Sequence, residues 1–545
     1  AFAGGATAQT DAQLRADGTK AGNTDNVLTY GMGYHQNRYS PLDKINKGNV
    51  KRLVPVWSTS LDNELGEQAQ PLIYEGVMYV SNARWTYAID ALTGKVIWRT
   101  AVNFDPDTPR VVCCGNSNKG VAIYNGKVFR GTLDAFVIAL DMKTGKEVWR
   151  QKAAEWKEGY SMTVAPQIAN GVVITGCSGA EFGARCFLDG WDPDTGKKLW
   201  RRYTTAGPGE KGHDTWEPRE AYQYGGASTW ITGSYDPELD LVFWGTGNAG
   251  PWTDERRKGD NLYVATLLAI KPKTGEIAWH YQFAPNDVWD WDSWENVLGE
   301  VRVDGQMRKV VMHTHRNGFL YVLDRASGKL LSAQPFAKVN WADRVDLATG
   351  RPVESQVSKD LRAGKTVELF PGILGAKNWP HTSFNPNTGL IYATTNTVSS
   401  TYRFVKLQDY KPGLRYQGIE NISSPITPDT IASHLEAIDP LTGKAKWRTP
   451  IKGQQLSAAI LTTGGGLLFT GRPTGEFIAV DAEDGKEVWS FKTGSGIHAQ
   501  PITWTRNGKQ YVTILSGTGG VAGARRGLAE MPLGGSVWTF ALFDQ

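Results

Sequence analysis

The chain has 545 residues, and 59 Lys+Arg against 55 Asp+Glu leave a formal net charge of +4, spread without long runs. That balance gives no electrostatic footprint for nucleic acid or an anionic membrane surface. No stretch reaches the roughly 18 apolar residues needed to span a bilayer, and the N-terminus lacks a basic-then-apolar signal pattern, so a soluble protein is expected, with Ala1 following a processed leader.

A chain of this length is either several domains or one large closed architecture. Its 62 Gly and 21 Trp suit an all-β fold with many tight turns, because glycine supplies positive φ and indoles suit packed sheet faces. In chain order, LVPVWSTSL (Leu53 to Leu61) reads as the first strand. The pattern Ala-x-Asp-x-x-Thr-Gly-Lys-x-x-Trp then appears from Ala88 to Trp98 and again from Ala139 to Trp149. Variants follow at Gly190 to Trp200, Ala269 to Trp279, Val322 to Ser332, Ala437 to Trp447 and Ala479 to Trp489. Asp90, Asp141 and Asp192 are 51 residues apart, a period the size of a propeller blade. Each copy reads as a strand, a tight turn with glycine in the left-handed region, and a second strand ending in a buried Trp.

Seven copies are visible, and the interval from Asp324 to Asp439 leaves room for a degenerate unit around SFNPNTGLIYATTN. The expected architecture is therefore an eight-bladed β-propeller in a single domain covering residues 1–545. Its ring is closed by pairing of the C-terminal strand SVWTFAL (Ser536 to Leu542) with the N-terminal strand near Leu53 to Leu61. Ala206 to Arg219 and Tyr402 to Pro425 lack repeat character and read as insertions covering one face.

Four cysteines are present, with no CxxCH haem-attachment motif and no CxxC pair, so covalent haem and a structural zinc site are not expected. An even count without metal spacing favours an oxidising compartment such as a periplasm. Cys113 and Cys114 are neighbours; two buried free thiols and a bridge through an eight-membered ring both remain open. Cys177 and Cys186 flank a Gly-rich segment and could close a short loop. Further along, VWDWDSWE (Val288 to Glu295) sets two carboxylates two residues apart between three tryptophans. In extended backbone, residues i and i+2 project to the same side, so Asp290 and Asp292 could address one cation; a solvated acidic loop over packed indoles is the alternative.

Taken together, NRYSPLDKINKGNVKRLVPVW (Asn37 to Trp57), VVCCGNSNKG, SGAEFG, GTGN, WDWD, HRNG and the Trp-ended repeats resemble, in order and spacing over nearly the whole chain, the pyrroloquinoline quinone (PQQ)-dependent alcohol dehydrogenases. The resemblance implies a Cys113–Cys114 disulfide on one face of the quinone and Trp230 on the other, an apolar sandwich that fixes the ring plane. PQQ is a tricarboxylate, and its rim needs donors and positive charge. The resemblance assigns these to Thr163, Ser178 with the Gly179 and Ala180 backbone, Arg316 and Asn396. Lys119 stands where the methanol enzymes have arginine, which keeps the charge and loses the fork. Gln68 falls where those enzymes carry a glutamate, with Glu67 next to it.

The implied metal ligands are Glu181, Asn248 and Asp290, an all-oxygen set for a hard cation. Asp292, two positions on, resembles the lanthanide-dependent branch rather than the calcium-dependent one, which has a small residue there. The resemblance implies oxidation of a primary alcohol to an aldehyde, with Asp290 as general base and Arg316 stabilising oxygen charge on the quinone. Electrons would pass to a soluble cytochrome c, and a homodimer is expected by analogy. Ser457, where the methanol enzymes have a large tryptophan, implies room for alcohols larger than methanol, or for aldehydes. A non-catalytic periplasmic propeller scaffold accounts for the repeats equally well, and for none of the site motifs.

Overall fold

The computed structural model describes residues 9–62, 66–453, 458–518 and 531–543. It contains seven four-stranded sheets and one five-stranded sheet. The first in the chain is a meander of Leu72–Tyr74, Val77–Ser81, Trp85–Asp90 and Val96–Ala101, each strand antiparallel to its predecessor. The pattern repeats over 122–152, 167–203, 234–282 and 297–335. Strands in the middle of a sheet are buried on both faces, as Val172–Gly176 is throughout, whereas an outer strand such as Ala445–Lys452 alternates between half-buried and exposed. Among the described residues no helix is long and apolar enough to cross a membrane.

The Trp-ended repeat explains how one sheet engages the next. In ALDMKTGKEVW, Asp141 Oδ1 accepts from the Lys143 and Thr144 amides and the Thr144 hydroxyl at 3.1, 2.8 and 2.8 Å, which bends the chain tightly. Gly145 follows at φ 70°. A Cβ there would sit 2.6 Å from Cδ2 of Trp98, a residue of the preceding sheet. Glycine is thus required for its conformation and for its missing side chain. Trp98 also donates its indole N–H to the Met142 carbonyl at 3.1 Å. Equivalent indole bonds run from Trp57 to Ala91, Trp149 to Pro193, Trp200 to Pro272, Trp447 to Ala482 and Trp489 to Leu53.

Leu53–Ser60 pairs antiparallel with Ser536–Leu542, as expected, and with Ile502–Arg506 and Lys509–Ser516 they make one four-stranded sheet. The origin of the eighth unit differs from the sequence expectation. Ser383–Asn385 and Leu390–Asn396 are not a separate unit; they pair onward with Ile431–Ile438 and Ala445–Lys452 in the sheet that carries the Ala437–Trp447 copy. The interval is long because insertions precede and split that sheet. They include the hairpin Ala342–Asp346/Arg351–Glu354, the helix Gln356–Arg362 and a three-stranded sheet built on Val367–Leu369. The second insertion, Tyr402 to Pro425, contributes to two strands of that small sheet, Ser400–Phe404 and Ile419–Ser423, and between them the Tyr416 amide donates to the Glu181 carbonyl at 2.8 Å.

Candidate functional site

The WDWD segment divides its residues between core and site. Trp289 and Trp291 are buried and stack with centroids 5.1 Å apart, and Trp291 packs on Trp341 at 4.6 Å. Their carboxylate neighbours face elsewhere. Asp290 occupies the left-handed region at φ 64°, a conformation that aspartate tolerates better than most residues. Arg316 donates from Nη2 to Asp290 Oδ2 at 3.0 Å and from Nη1 to Asp292 Oδ2 at 2.8 Å. The two carboxylates do meet one partner, a guanidinium, but the extended backbone expected from the i, i+2 spacing is not what brings them there, since Asp290 is left-handed.

Asn248 continues this cluster. Its amide N–H donates to Asp292 Oδ1 at 2.8 Å and its side-chain Nδ2 donates to the Ala249 carbonyl at 2.9 Å, while Oδ1 is buried without a partner. Glu181 lies in the short 3-10 turn Ala180–Phe182, between Gly179 and Gly183, both at positive φ. Burial raises its pKa above the usual carboxylate value, and the Asp292 charge adds to the effect. Burial likewise raises Asp290 and Asp292; Arg316 opposes this, while Asp292 pushes Asp290 further up. Two buried carboxylates thus share one guanidinium, with the half-buried Glu181 close enough to feel the Asp292 charge, and Asp290 Oδ1 has no hydrogen-bond partner. Among the described residues no group of three or more His, Cys, Asp and Glu side chains is placed so that it could hold a metal ion by itself. The oxygens available to a cation are those of Glu181, Asp290 and Asp292, completed by the Asn248 amide. This hard, anionic set, with two orphaned oxygens, fits an oxygen-loving cation.

A second group of residues adjoins it. Trp230 packs on Trp294 with centroids 5.8 Å apart, in a cluster with Ile231 and Trp379. The buried Lys119 Nζ lies 4.8 Å from the Trp230 ring centre and 5.4 Å from that of Trp379, and reaches Gln68 Oε1 at 3.4 Å. Gln68, rather than Glu67, thus faces this region; Glu67 accepts from Asn82 at 3.2 Å. The Lys119 amide donates to the Thr163 carbonyl, and the Thr163 and Ser178 hydroxyls meet at 3.1 Å. Asn396 donates to the Gly375 carbonyl at 3.1 Å and buries an unpartnered Oδ1; Gly375 itself abuts the Arg316 side chain. Cys113 and Cys114 are joined through their sulfurs, and Arg415 donates to the Cys113 carbonyl at 3.0 Å. Cys177 and Cys186 are buried free thiols. Ser457 lies outside the described residues.

Several contributors escaped the sequence reading. Trp379 and Lys377 come from AKNWPH, and Arg415 and Tyr416 from the non-repeat insertion. Glu295, the last residue of VWDWDSWE, is buried against Lys377 Nζ at 2.6 Å, with His381 Nδ1 at 3.4 Å and Arg38 at 4.0 Å. The tripeptide Lys-x-Trp beside a proline carries no distinctive pattern, and these pairings span more than 80 residues of chain.

Comparison with known proteins agrees with the geometry. The glucose/ethanol/alcohol dehydrogenase β-propeller domain family matches residues 28–340, and the outer membrane protein assembly factor BamB family matches 432–516. The quinohemoprotein alcohol dehydrogenase ADH IIB of Pseudomonas putida is 41% identical over 520 residues, covering 91% of this chain and 74% of the relative. The quinoprotein alcohol dehydrogenase PedH of Pseudomonas putida is 40% identical over 558 residues, covering 96% and 92%. A solved europium-containing methanol dehydrogenase superposes with a TM-score of 0.90 at 34% identity, covering 95% of this chain and 98% of that one.

Proposed function

The chain belongs to the PQQ-dependent quinoprotein alcohol dehydrogenases, and from that premise we propose a periplasmic enzyme that oxidises primary alcohols larger than methanol with PQQ and a lanthanide(III) ion. The observation that carries the metal reading is the surplus of buried carboxylate over Arg316, with Asp290 Oδ1 and Asn248 Oδ1 left unpartnered. Glu181, Asn248, Asp290 and Asp292 would hold the ion. The fourth residue, Asp292, adds a charge that favours a trivalent over a divalent cation, and calcium is the alternative that the same oxygen set also suits.

The architecture proposed with it is one domain of eight blades, each of the eight sheets being one blade. The indole bonds between sheets support this, together with the pairing of Leu53–Ser60 with Ser536–Leu542. Lys119, Gln68, Thr163, Ser178, the Gly179 and Ala180 backbone, Asn396 and Arg316 would hold PQQ, between a Cys113–Cys114 disulfide and Trp230. Bound PQQ supplies a two-electron acceptor.

The protein's own residues then act on the alcohol as follows. Asp290 takes the hydroxyl proton at Oδ1, because Oδ2 is committed to Arg316. Burial makes that oxygen a stronger base than a solvated aspartate, and a bound cation works against this. Arg316 keeps both aspartates oriented through Nη1 and Nη2, and its buried, unpartnered Nε–H is the donor left for an oxygen that gains charge. Trp230, Trp294 and Trp379 line an apolar wall that excludes water. Electrons leave to a soluble cytochrome c, and the protein is a homodimer in this reading. The test is a dye-linked assay of purified protein supplied with PQQ and metal, across methanol, ethanol and longer primary alcohols. Catalytic efficiency rises beyond methanol; a maximum at methanol would remove the substrate reading, and no oxidation of any alcohol would remove the function.

A further inference from the structure

The described residues include seven buried lysines and arginines, and six of them have a carboxylate partner or several hydrogen bonds. Arg38 and Lys377 share Glu295, Arg316 has Asp290 and Asp292, and Arg325 has Asp236. Arg130 and Arg257 donate to backbone carbonyls and neutral side chains. Lys119 differs: its ammonium has two indole faces and a single long contact to the neutral Gln68. A buried cation so placed keeps little of the stabilisation it had in water.

Resting on the cofactor reading above, we propose that Lys119 gives up its proton in the cofactor-free protein at mildly alkaline pH and takes one up from solvent when the anionic cofactor binds, so that cofactor loading is coupled to pH through this single side chain. Charged groups on the surrounding elements are committed elsewhere. Glu67, beside Gln68, accepts from Asn82; Asp292, near Trp230, is held by Arg316 and the Asn248 amide; Lys377, beside Trp379, is paired with Glu295. Burial is accordingly the one cause that moves Lys119, and it brings the ammonium down to about 7. A cofactor carboxylate at Nζ supplies the missing counter-charge and raises it again.

The sign follows from linkage. Below the cofactor-free value the lysine already carries its proton, and affinity is flat with pH. Above it, each loading event draws a proton from solvent, and affinity falls by about tenfold per pH unit until the cofactor-bound value is reached. An arginine at this position stays charged throughout, and PQQ loading then loses this proton.

The experiment is calorimetric titration of PQQ into metal-loaded, cofactor-free protein, in buffers of different ionisation enthalpy, for the wild type and Lys119→Arg. At a pH near 8.5 the wild type takes up about one proton more per PQQ than the variant, and the difference vanishes near pH 6. Equal proton uptake by two proteins that both bind PQQ overturns the proposal. Should the variant fail to fold or bind, the wild-type affinity between about pH 7.5 and 9 decides: a fall of about tenfold per unit supports it, and a flat profile overturns it. Failure of the wild type to bind PQQ at any pH removes the cofactor reading itself, and the proposal with it.

Discussion

Arg316 grips only one oxygen of Asp290, donating from Nη2 to Oδ2 at 3.0 Å and leaving Oδ1 buried without a partner. The free oxygen is what a general base or a metal ligand requires, and the gripped oxygen keeps the side chain aimed.

Asp290→Asn preserves size and the Arg316 contact through its carbonyl oxygen, but removes the basic oxygen. Turnover should fall by about 10²–10⁴, while PQQ remains bound, as read from its near-ultraviolet absorption. Unchanged turnover with metal and PQQ still in place would refute the role.

Replacing Arg316 with methionine leaves Asp290 and Asp292 buried, charged and without a counter-ion. In metal-free protein the expected cost is about 3–5 kcal/mol, measured by chemical denaturation. An added lanthanide should restore more stability to the variant than it adds to the wild type, because it becomes the only cation among those carboxylates.

Glu295 makes a pH prediction. Burial alone would raise it, but the Lys377 ammonium, with His381 and Arg38, wins and holds it well below the usual carboxylate range. A depressed folded-state value means stability that is present above the unfolded value, about 4.3, and lost as pH falls through that value toward the folded one. Glu295→Gln should therefore flatten this acid limb. Near neutral pH it should cost about 3–5 kcal/mol, because Lys377 loses its buried partner. Denaturation midpoints between about pH 3 and 7 for both proteins check it.

The sequence carries the sheets and the aspartate pair because both rest on local physics. The Asp-x-x-Thr-Gly turn is made within five residues by Asp141, Thr144 and Gly145, and Asp290 and Asp292, two residues apart, reach one guanidinium although Asp290 is left-handed and not extended. The sheet made by strands 53–60, 502–506, 509–516 and 536–542 has no Trp-ended copy of its own, so counting copies placed the eighth unit at 383–396, which belongs to another sheet. Lys377 meets Glu295 and Arg415 meets Cys113 across insertions that follow no repeat. Such pairings are fixed by tertiary packing and have no signature in spacing. Gln68 and Glu67 illustrate the same limit: adjacent side chains point to opposite sides, and only the fold shows that Gln68 meets Lys119 while Glu67 meets Asn82.

Whether Asp292 selects a lanthanide over calcium is decided by metal reconstitution of the wild type and Asp292→Ala. Both proteins, stripped of metal and saturated with PQQ, receive La³⁺ or Ca²⁺ and are assayed for ethanol oxidation with an artificial electron acceptor. The wild type should work with La³⁺ and little with Ca²⁺, and the variant should lose this preference. Full activity of the wild type with Ca²⁺ and none with La³⁺ would contradict the lanthanide assignment.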